Sequence, residues 1–370
     1  MKYFIIAGER SGDLHASNLI KELKAQDANA AFAGMGGDYM RSQGATLVLD
    51  YSKTAFMGFW EVLVHYPDIQ RAFSIVKKGI DTFKPDVVVC IDYAGFNLRM
   101  AEYAKAQHIP VHFYISPKIW AWNTGRANKI KQLIDRMYVI LPFEKAFYKQ
   151  FDYTVDYVGN PIMDEITHFE KDANFRTKYR LDDRPIIAIL PGSRKTEIES
   201  TLYRMLSILP AFSDYQFVVA GVSNQPKKYY DNFRRNGKVE IIHDDTYNLL
   251  AHAHAALVAS GTATLETALF NVPQVVCYAV SVPTYWIARM LIKVPYISLV
   301  NLIAGKEVVK ELIQNDFVAQ NITTELRKIV EPGACRQHQL EEYQALRAQI
   351  GAPGASAKVA QLMYKYLTNS

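Results

Sequence analysis

What most limits the folding of this chain is a repeated pairing: a run of about five consecutive apolar residues, then a stretch long enough for a helix. Tyr3 to Ala7, Ala30 to Gly34, Val87 to Ile91, Val111 to Ile115 and Met137 to Leu141 are such runs. Residues apolar at every position, rather than every second one, belong to strands covered on both faces, and strands separated by helices form parallel βαβ units. After a charge-rich stretch from Asp164 to Arg184 the pattern restarts with Ile186 to Leu190, Gln216 to Ala220, Val239 to Ile242, Ala255 to Ala259 and Gln274 to Tyr278. The chain of 370 residues is therefore expected to form an α/β protein of two Rossmann-like, doubly wound domains, spanning 1–163 and 164–336. The helical tail 337–370, broken at Gly351-Ala352-Pro353-Gly354, could pack back on the first domain. Two such domains would face a central cleft at the carboxyl ends of their strands, where folds of this kind bind ligands.

Composition removes several classes of function. Hydrophobic residues at 49% and charged residues at 21% exclude a disordered chain. The +5 charge is spread thinly, without the Lys/Arg block that nucleic-acid binding requires. Cys90, Cys277 and Cys335 lack CxxC spacing, which points to a reducing compartment and no structural zinc. His252 and His254, two residues apart, read as packing rather than metal ligation. The first residues form a strand rather than a secretory signal, and the apolar stretch from Tyr285 to Ala304 is broken by Arg289, Lys293 and Pro295. A cytoplasmic protein, soluble or attached to a membrane without crossing it, is expected.

Four segments carry chemistry. Gly8-Glu9-Arg10-Ser11-Gly12-Asp13 follows the first strand; it is neither GxGxxG nor GxSxG, so it supports neither a dehydrogenase nor an α/β-hydrolase. It either brings backbone amides to a ligand or is simply a tight turn. Leu190-Pro191-Gly192-Ser193-Arg194 sets a glycine, a hydroxyl and a guanidinium where a buried strand meets a helix, a combination suited to pyrophosphate. Its alternative is an Arg194 paired with an acidic neighbour such as Glu197. Ser260-Gly261-Thr262 opens a second helix of the same half, with Glu266 one turn inside, placed to accept both hydroxyls of a ribose. Helix capping is the plainer explanation for its hydroxyls. Asp92 ends a central strand, where a general base belongs, and His15 competes with it. No GxxxxGK[ST] is present, which disfavours ATP hydrolysis.

The chain is rich in aromatic residues, with 18 Phe, 23 Tyr and 4 Trp. Two segments hold rings that either pack a core or form an apolar surface. One contains Phe56, Met57, Phe59, Trp60 and Leu63; the other sets Tyr285 and Trp286 beside Arg289 and Lys293. Both suit acyl chains next to anionic headgroups. Ser116-Pro117-Lys118-Ile119-Trp120-Ala121-Trp122 reads as an aromatic wall.

Taken together these segments resemble the bacterial lipid-A-disaccharide synthases, glycosyltransferases of the GT-B fold. The matching stretches are the Gly8–Asp13 turn, Met57-Gly58 with Val62-Leu63, Lys84-Pro85-Asp86-Val87 with Ile91-Asp92, Ser116 to Trp122, Leu141-Pro142-Phe143-Glu144-Lys145-Ala146-Phe147, Leu190 to Arg194, Ala259 to Glu266, and Tyr296 to Gly305. They run in the family's order over nearly the whole chain. The resemblance implies transfer, with inversion, from UDP-2,3-diacylglucosamine to 2,3-diacylglucosamine 1-phosphate. The products would be the β-1,6 disaccharide phosphate and UDP, with no cofactor and no essential metal. It implies Asp92 as base on the acceptor 6-hydroxyl and Arg194 and Asn301 as functional residues of the second half. It further implies attachment to the cytoplasmic leaflet of the inner membrane, and it allows a homodimer. Competing readings are another GT-B enzyme, such as a UDP-N-acetylglucosamine 2-epimerase or peptidoglycan-precursor transferase, and a non-catalytic lipid-binding protein.

Overall fold

The computed structural model describes residues 1–53, 66–223, 225–234 and 238–369. Within them lie two parallel sheets. The first has the order β3-β2-β1-β4-β5-β6-β7, formed by β1 (Lys2–Ala7), β2 (Ala31–Gly36), β3 (Thr46–Asp50), β4 (Val87–Ile91), β5 (Val111–Tyr114), β6 (Arg136–Val139) and β7 (Asp156–Tyr157). The second has the order β10-β9-β8-β11-β12-β13, from β8 (Ile186–Leu190), β9 (Gln216–Gly221), β10 (Val239–His243), β11 (Ala253–Ala259), β12 (Gln274–Tyr278) and β13 (Lys310–Ile313). Every pairing between these strands is parallel, as the unbroken apolar runs require.

Both faces of each sheet are covered. In β1, Phe4 and Ile6 enter one core while Tyr3, Ile5 and Ala7 enter the other. In β8, Ile187 and Ile189 pack on one side and Ile186, Ala188 and Leu190 on the other. Central strands follow the expected positions to within two residues. The strands without a sequence signal, β3, β7 and β13, all lie at the rim, where β3 is only partly covered and β7 is two residues long.

The chain divides into one unit of Met1–Asp164 with Ala352–Ser370, and another of Glu165–Gly351. Residues 337–370 therefore do not stay together. The helix Ala334–Ile350 belongs to the second unit. The helix Ala355–Thr368 belongs to the first, where Val359, Ala360 and Met363 share a core with Ala16, Leu19, Ile20 and Leu23 of the helix Arg10–Gln26. At the crossing, the backbone amide of Gly354 donates to the Asp164 carboxylate. Among the described residues no helix is long and apolar enough to cross a membrane. Cys90, Cys277 and Cys335 are all unbridged.

Candidate active site

In the first sheet the chain winds outward from β1 through β2 to β3, then returns to the other side of β1 as β4. Loops leaving β1 and β4 therefore diverge, and the crevice at their carboxyl ends is the natural ligand position of a doubly wound sheet. Gly8-Glu9 and Asp92 occupy it. The Gly8 side is filled by Tyr93: a Cβ on Gly8 would lie 2.1 Å from Tyr93 Cδ1. The turn is shorter than the sequence suggests, because the helix begins at Arg10 with Glu9 as its N-cap. Ser11, Gly12 and Asp13 thus lie in its first turn. Ser11 is exposed, while Gly12 is buried against Ala7 and the Ile91 carbonyl. Asp13 is fully buried and accepts from the amides of Gly37 (2.8 Å), Tyr39 (3.0 Å) and Met40 (3.1 Å). It fastens the loop after β2, a structural role in place of the expected ligand contact.

Asp92 and Tyr93 both adopt left-handed backbone, φ 45° and 44°, and Ile115 at the end of neighbouring β5 has φ 66°. Such conformations are costly for residues with a Cβ, most of all a β-branched one, and persist where the surroundings enforce them. Asn97 is one enforcer: its amide group donates to the carbonyls of Asp92 (2.8 Å), Ile91 (3.2 Å) and Ile6 (3.3 Å). Burial pushes the Asp92 carboxyl above its ordinary pKa, opposed by the charge of Lys118 and the amide of Tyr93. Burial acts on His15 in the other sense, lowering its pKa to about 4. The carboxylate becomes a better base than usual and the imidazole a poorer one.

Lys118 rides on a loop that a buried carboxylate organises. Glu144, 1% exposed, accepts from Ser116 Oγ (2.5 Å), Trp120 Nε1 (3.2 Å) and the amides of Leu141 (2.9 Å) and Ile140 (3.2 Å), tying the ends of β5 and β6 together. Trp120 is consequently buried in this support, and Trp122 is the exposed ring of the segment.

The second sheet reverses in the same way between β8 and β11. The two segments read from sequence as phosphate loops follow these two strands. Gly192 has φ +101°, and a Cβ there would lie 2.6 Å from Glu197 Oε2. That oxygen accepts from the amides of Ser193 (3.1 Å) and Arg194 (3.2 Å), and Glu197 pairs with Arg194 at 3.6 Å. A carboxylate thus occupies the backbone donors assigned from sequence to diphosphate, and the acidic partner weighed for Arg194 is present. The exposed guanidinium gains little stability from this pairing.

Ser260, Gly261 and Thr262 lead into the helix Thr262–Leu269, with Gly261 as N-cap and open space where its Cβ would be. The first amides of any helix lack an intrahelical acceptor, so this end suits an anion. Ser260 Oγ donates to the Ile297 carbonyl (2.8 Å), which ties this loop to the Tyr296–Gly305 segment. Asn301 shapes that segment from within. Fully buried, it accepts from the amides of Val308 (2.8 Å) and Val309 (3.0 Å), and donates to the Val309 carbonyl (2.9 Å) and Glu311 (2.9 Å). Glu311 in turn accepts from the amides of Ile297 and Ser298. The Asn301 amide has no hydrogen-bonding capacity left for a nucleotide, so its place is that of a support.

Glu266 does stand one turn inside its helix, and it has company that sequence spacing did not reveal. The Tyr247 hydroxyl lies 3.2 Å from Glu266 Oε1 and 2.9 Å from Glu165 Oε2. Burial and the Glu165 charge raise Glu266 to about 7, against the lowering effect of the Tyr247 hydroxyl.

Of the two apolar segments, Phe56, Met57, Phe59, Trp60 and Leu63 fall outside the described residues. The other is the helix Val282–Leu291. Val282, Trp286 and Met290, spaced four apart and hence on one face, are 62%, 56% and 77% exposed. Arg289 lies over the Trp286 ring at 5.8 Å, Lys293 is exposed, and Tyr285 is half-buried beside them. His252 and His254 spend ring nitrogens on the carbonyls of Asn248 and Val330.

Two doubly wound domains of this topology are the architecture of the GT-B fold. The UDP-GlcNAc 2-epimerase of Neisseria meningitidis, solved with UDP-GlcNAc bound, shares that fold: TM-score 0.69, 15% identity, 99% of this chain and 100% of that one. A family model described as lipid-A-disaccharide synthetase matches residues 3–363. The lipid-A-disaccharide synthase of Myxococcus xanthus is 37% identical over 99% of this chain and 97% of its own. That of Syntrophus aciditrophicus is 38% identical over 99% and 98%. The chain belongs to the lipid-A-disaccharide synthase family, and is a glycosyltransferase of lipid A biosynthesis.

Proposed function

We propose that the chain joins UDP-2,3-diacylglucosamine to 2,3-diacylglucosamine 1-phosphate with inversion, and that Asp92 is the base. The observation that carries this assignment is the Asp92 carboxylate itself, held in enforced left-handed backbone at the switch point of its sheet with a raised pKa. In the reaction, Asp92 takes the proton of the acceptor 6-hydroxyl as that oxygen bonds to the anomeric carbon. The bond from that carbon to the diphosphate breaks, and its electron pair leaves with UDP. One carboxylate suffices for a single displacement. The second unit supplies the leaving-group charge with partners: the N-terminal amides of the helix Thr262–Leu269 and the Arg194 guanidinium, with Glu266 accepting from the ribose hydroxyls. These groups answer the diphosphate charge without a divalent ion, so turnover should survive EDTA.

The acyl chains and the cytoplasmic leaflet of the inner membrane would meet the exposed Trp286 face, whose Arg289 and Lys293 suit anionic headgroups. The decisive experiment supplies both acylated sugars and follows disaccharide and UDP. Asp92→Ala should lower turnover by about two to four orders of magnitude, the range for loss of a general base. Near-normal turnover in Asp92→Ala with collapse in His15→Ala would transfer the role to His15.

A further inference from the structure

Tyr247 carries one hydroxyl proton, yet its oxygen is within hydrogen-bonding distance of two carboxyl groups, Glu165 at 2.9 Å and Glu266 at 3.2 Å. A phenol can donate a full hydrogen bond to only one of them, or a weakened three-centre bond to both. The second contact is a full hydrogen bond only when that carboxyl is itself protonated and donates to the phenol oxygen. With both ionised, two negative charges would flank one oxygen in a poorly hydrated place, the situation in which a pair of carboxyls retains a proton.

We propose that Glu165 and Tyr247 are positioning residues that hold Glu266 in a proton-sharing carboxyl pair, so that nucleotide binding at Glu266 expels the shared proton. The inference rests on the assignment of Glu266 to the ribose. Ribose hydroxyls donate, and two donors at one carboxyl select its ionised form. The proton lost from Glu266 passes to solvent, leaving Tyr247 to donate to Glu165.

Three helices bring these residues together. Tyr247 stands on the helix Thr246–His252, with its ring edge-on to Phe169 and tilted on Phe270. Glu165 lies on the helix Pro161–Thr167, which carries the chain from the first unit into the second. Glu266 stands on the helix Thr262–Leu269, and among the described residues the groups acting on it are Glu165 and Tyr247. The other ionisable groups described on the surrounding elements do not act on Glu266. Asp245 binds Lys178 and Tyr179, His252 the Asn248 carbonyl, and His254 the Val330 carbonyl. Arg347 bonds the Leu269 carbonyl at the far end of the Glu266 helix, Glu342 pairs with Lys306, Glu341 accepts from Gln337, and Tyr343 donates to Gln339. Asp164 accepts from Gly354, His168 is exposed beyond the Glu165 helix, and Cys277 is buried in β12.

The test is UDP binding by calorimetry to the full-length protein and to its substituted forms Glu165→Gln and Tyr247→Phe, between pH 6 and 8, in buffers of different ionisation enthalpy. With Glu266 at about 7, about half a proton should leave at pH 7. From pH 6 to pH 8 the proton lost from Glu266 should raise the UDP affinity of the unmodified protein by about tenfold, and that of Glu165→Gln by less. Glu165→Gln removes the neighbouring charge but leaves the burial that raises Glu266 most, so proton release and this gain should both fall without vanishing. Tyr247→Phe keeps the ring but removes the hydroxyl that lowers Glu266, so its midpoint should move to higher pH. Titration of the UDP phosphate is common to all three proteins and cancels in the comparison. UDP binding with equal proton release in all three would overturn the proton-sharing pair while leaving the nucleotide site intact. No UDP binding to the unmodified protein would overturn the nucleotide assignment and the pair with it.

Discussion

Asn301→Ala separates support from ligand contact in the second unit. The substitution removes the acceptor of two buried amides, Val308 (6% exposed) and Val309 (0%), and the donor to the Val309 carbonyl and Glu311. A buried polar group left unsatisfied costs about 1–3 kcal/mol, and partial relaxation brings the total to roughly 3–5 kcal/mol. For a domain of this size, each kcal/mol lowers Tm by about 2–4 °C, so scanning calorimetry should show a fall of about 10 °C. Asn301→Asp sharpens the test, since it keeps an acceptor for both amides but sets a second carboxylate beside Glu311. Such a pair raises a folded-state pKa, so the native protein holds more protons than the unfolded chain. Stability of Asn301→Asp should therefore fall as pH rises from acid towards neutral. A Tm for Asn301→Ala within about 2 °C of the parent, with UDP affinity lost, would refute the supporting role and mean that the amide reaches the nucleotide.

The acid limb of kcat/KM should lie above the ordinary carboxylate range of about 4, because protonated Asp92 cannot act as a base. Lys118→Ala should move that limb higher still, and a limb that stays or drops would show that Lys118 does not act on the base. Arg194→Ala should weaken UDP-sugar binding and slow turnover; unchanged kinetics would remove Arg194 from the diphosphate site. Gly8→Ala should destabilise the first unit by about 1–3 kcal/mol through overpacking against Tyr93, with Tyr93→Ala in the same chain relieving most of the cost in a urea melt. Trp286→Ser with Arg289→Glu should reduce sedimentation with anionic vesicles, and undiminished sedimentation would take the membrane contact away from this face.

Sequence resolves this protein best where burial is complete. Val87–Ile91 and Ile186–Leu190 are apolar at every position because helices cover both their faces, and they stand where periodicity put them. β3 and β13 carry mixed residues because one side of each is a sheet edge, so their pattern merges with loops. The positions of Asp92 and Arg194 were legible because they stand just after recognisable strands, and that of Glu266 because its helix follows one. Asn97, Glu144 and Tyr247 were not. Each acts across space on backbone or side chains of another element, and no local spacing encodes that. Asp13 and Asn301 show the reverse case: polar residues inside ligand-type motifs whose hydrogen bonds the fold itself consumes.

The return of Ala355–Thr368 to the first unit has a consequence for synthesis on the ribosome. The apolar stripe of the helix Arg10–Gln26 emerges early, yet the residues that cover it, Val359, Ala360 and Met363, come close to the end of the chain. At about 5–20 residues per second the amino-terminal unit waits roughly 10 to 40 s for its last helix, while the second unit can close first. During that interval Leu19, Ile20 and Leu23 lack their final cover and offer a nascent-chain chaperone its target. A stop codon before Ala355 would then damage the amino-terminal domain, at the opposite end of the sequence from the lesion, and spare the domain in which translation ended.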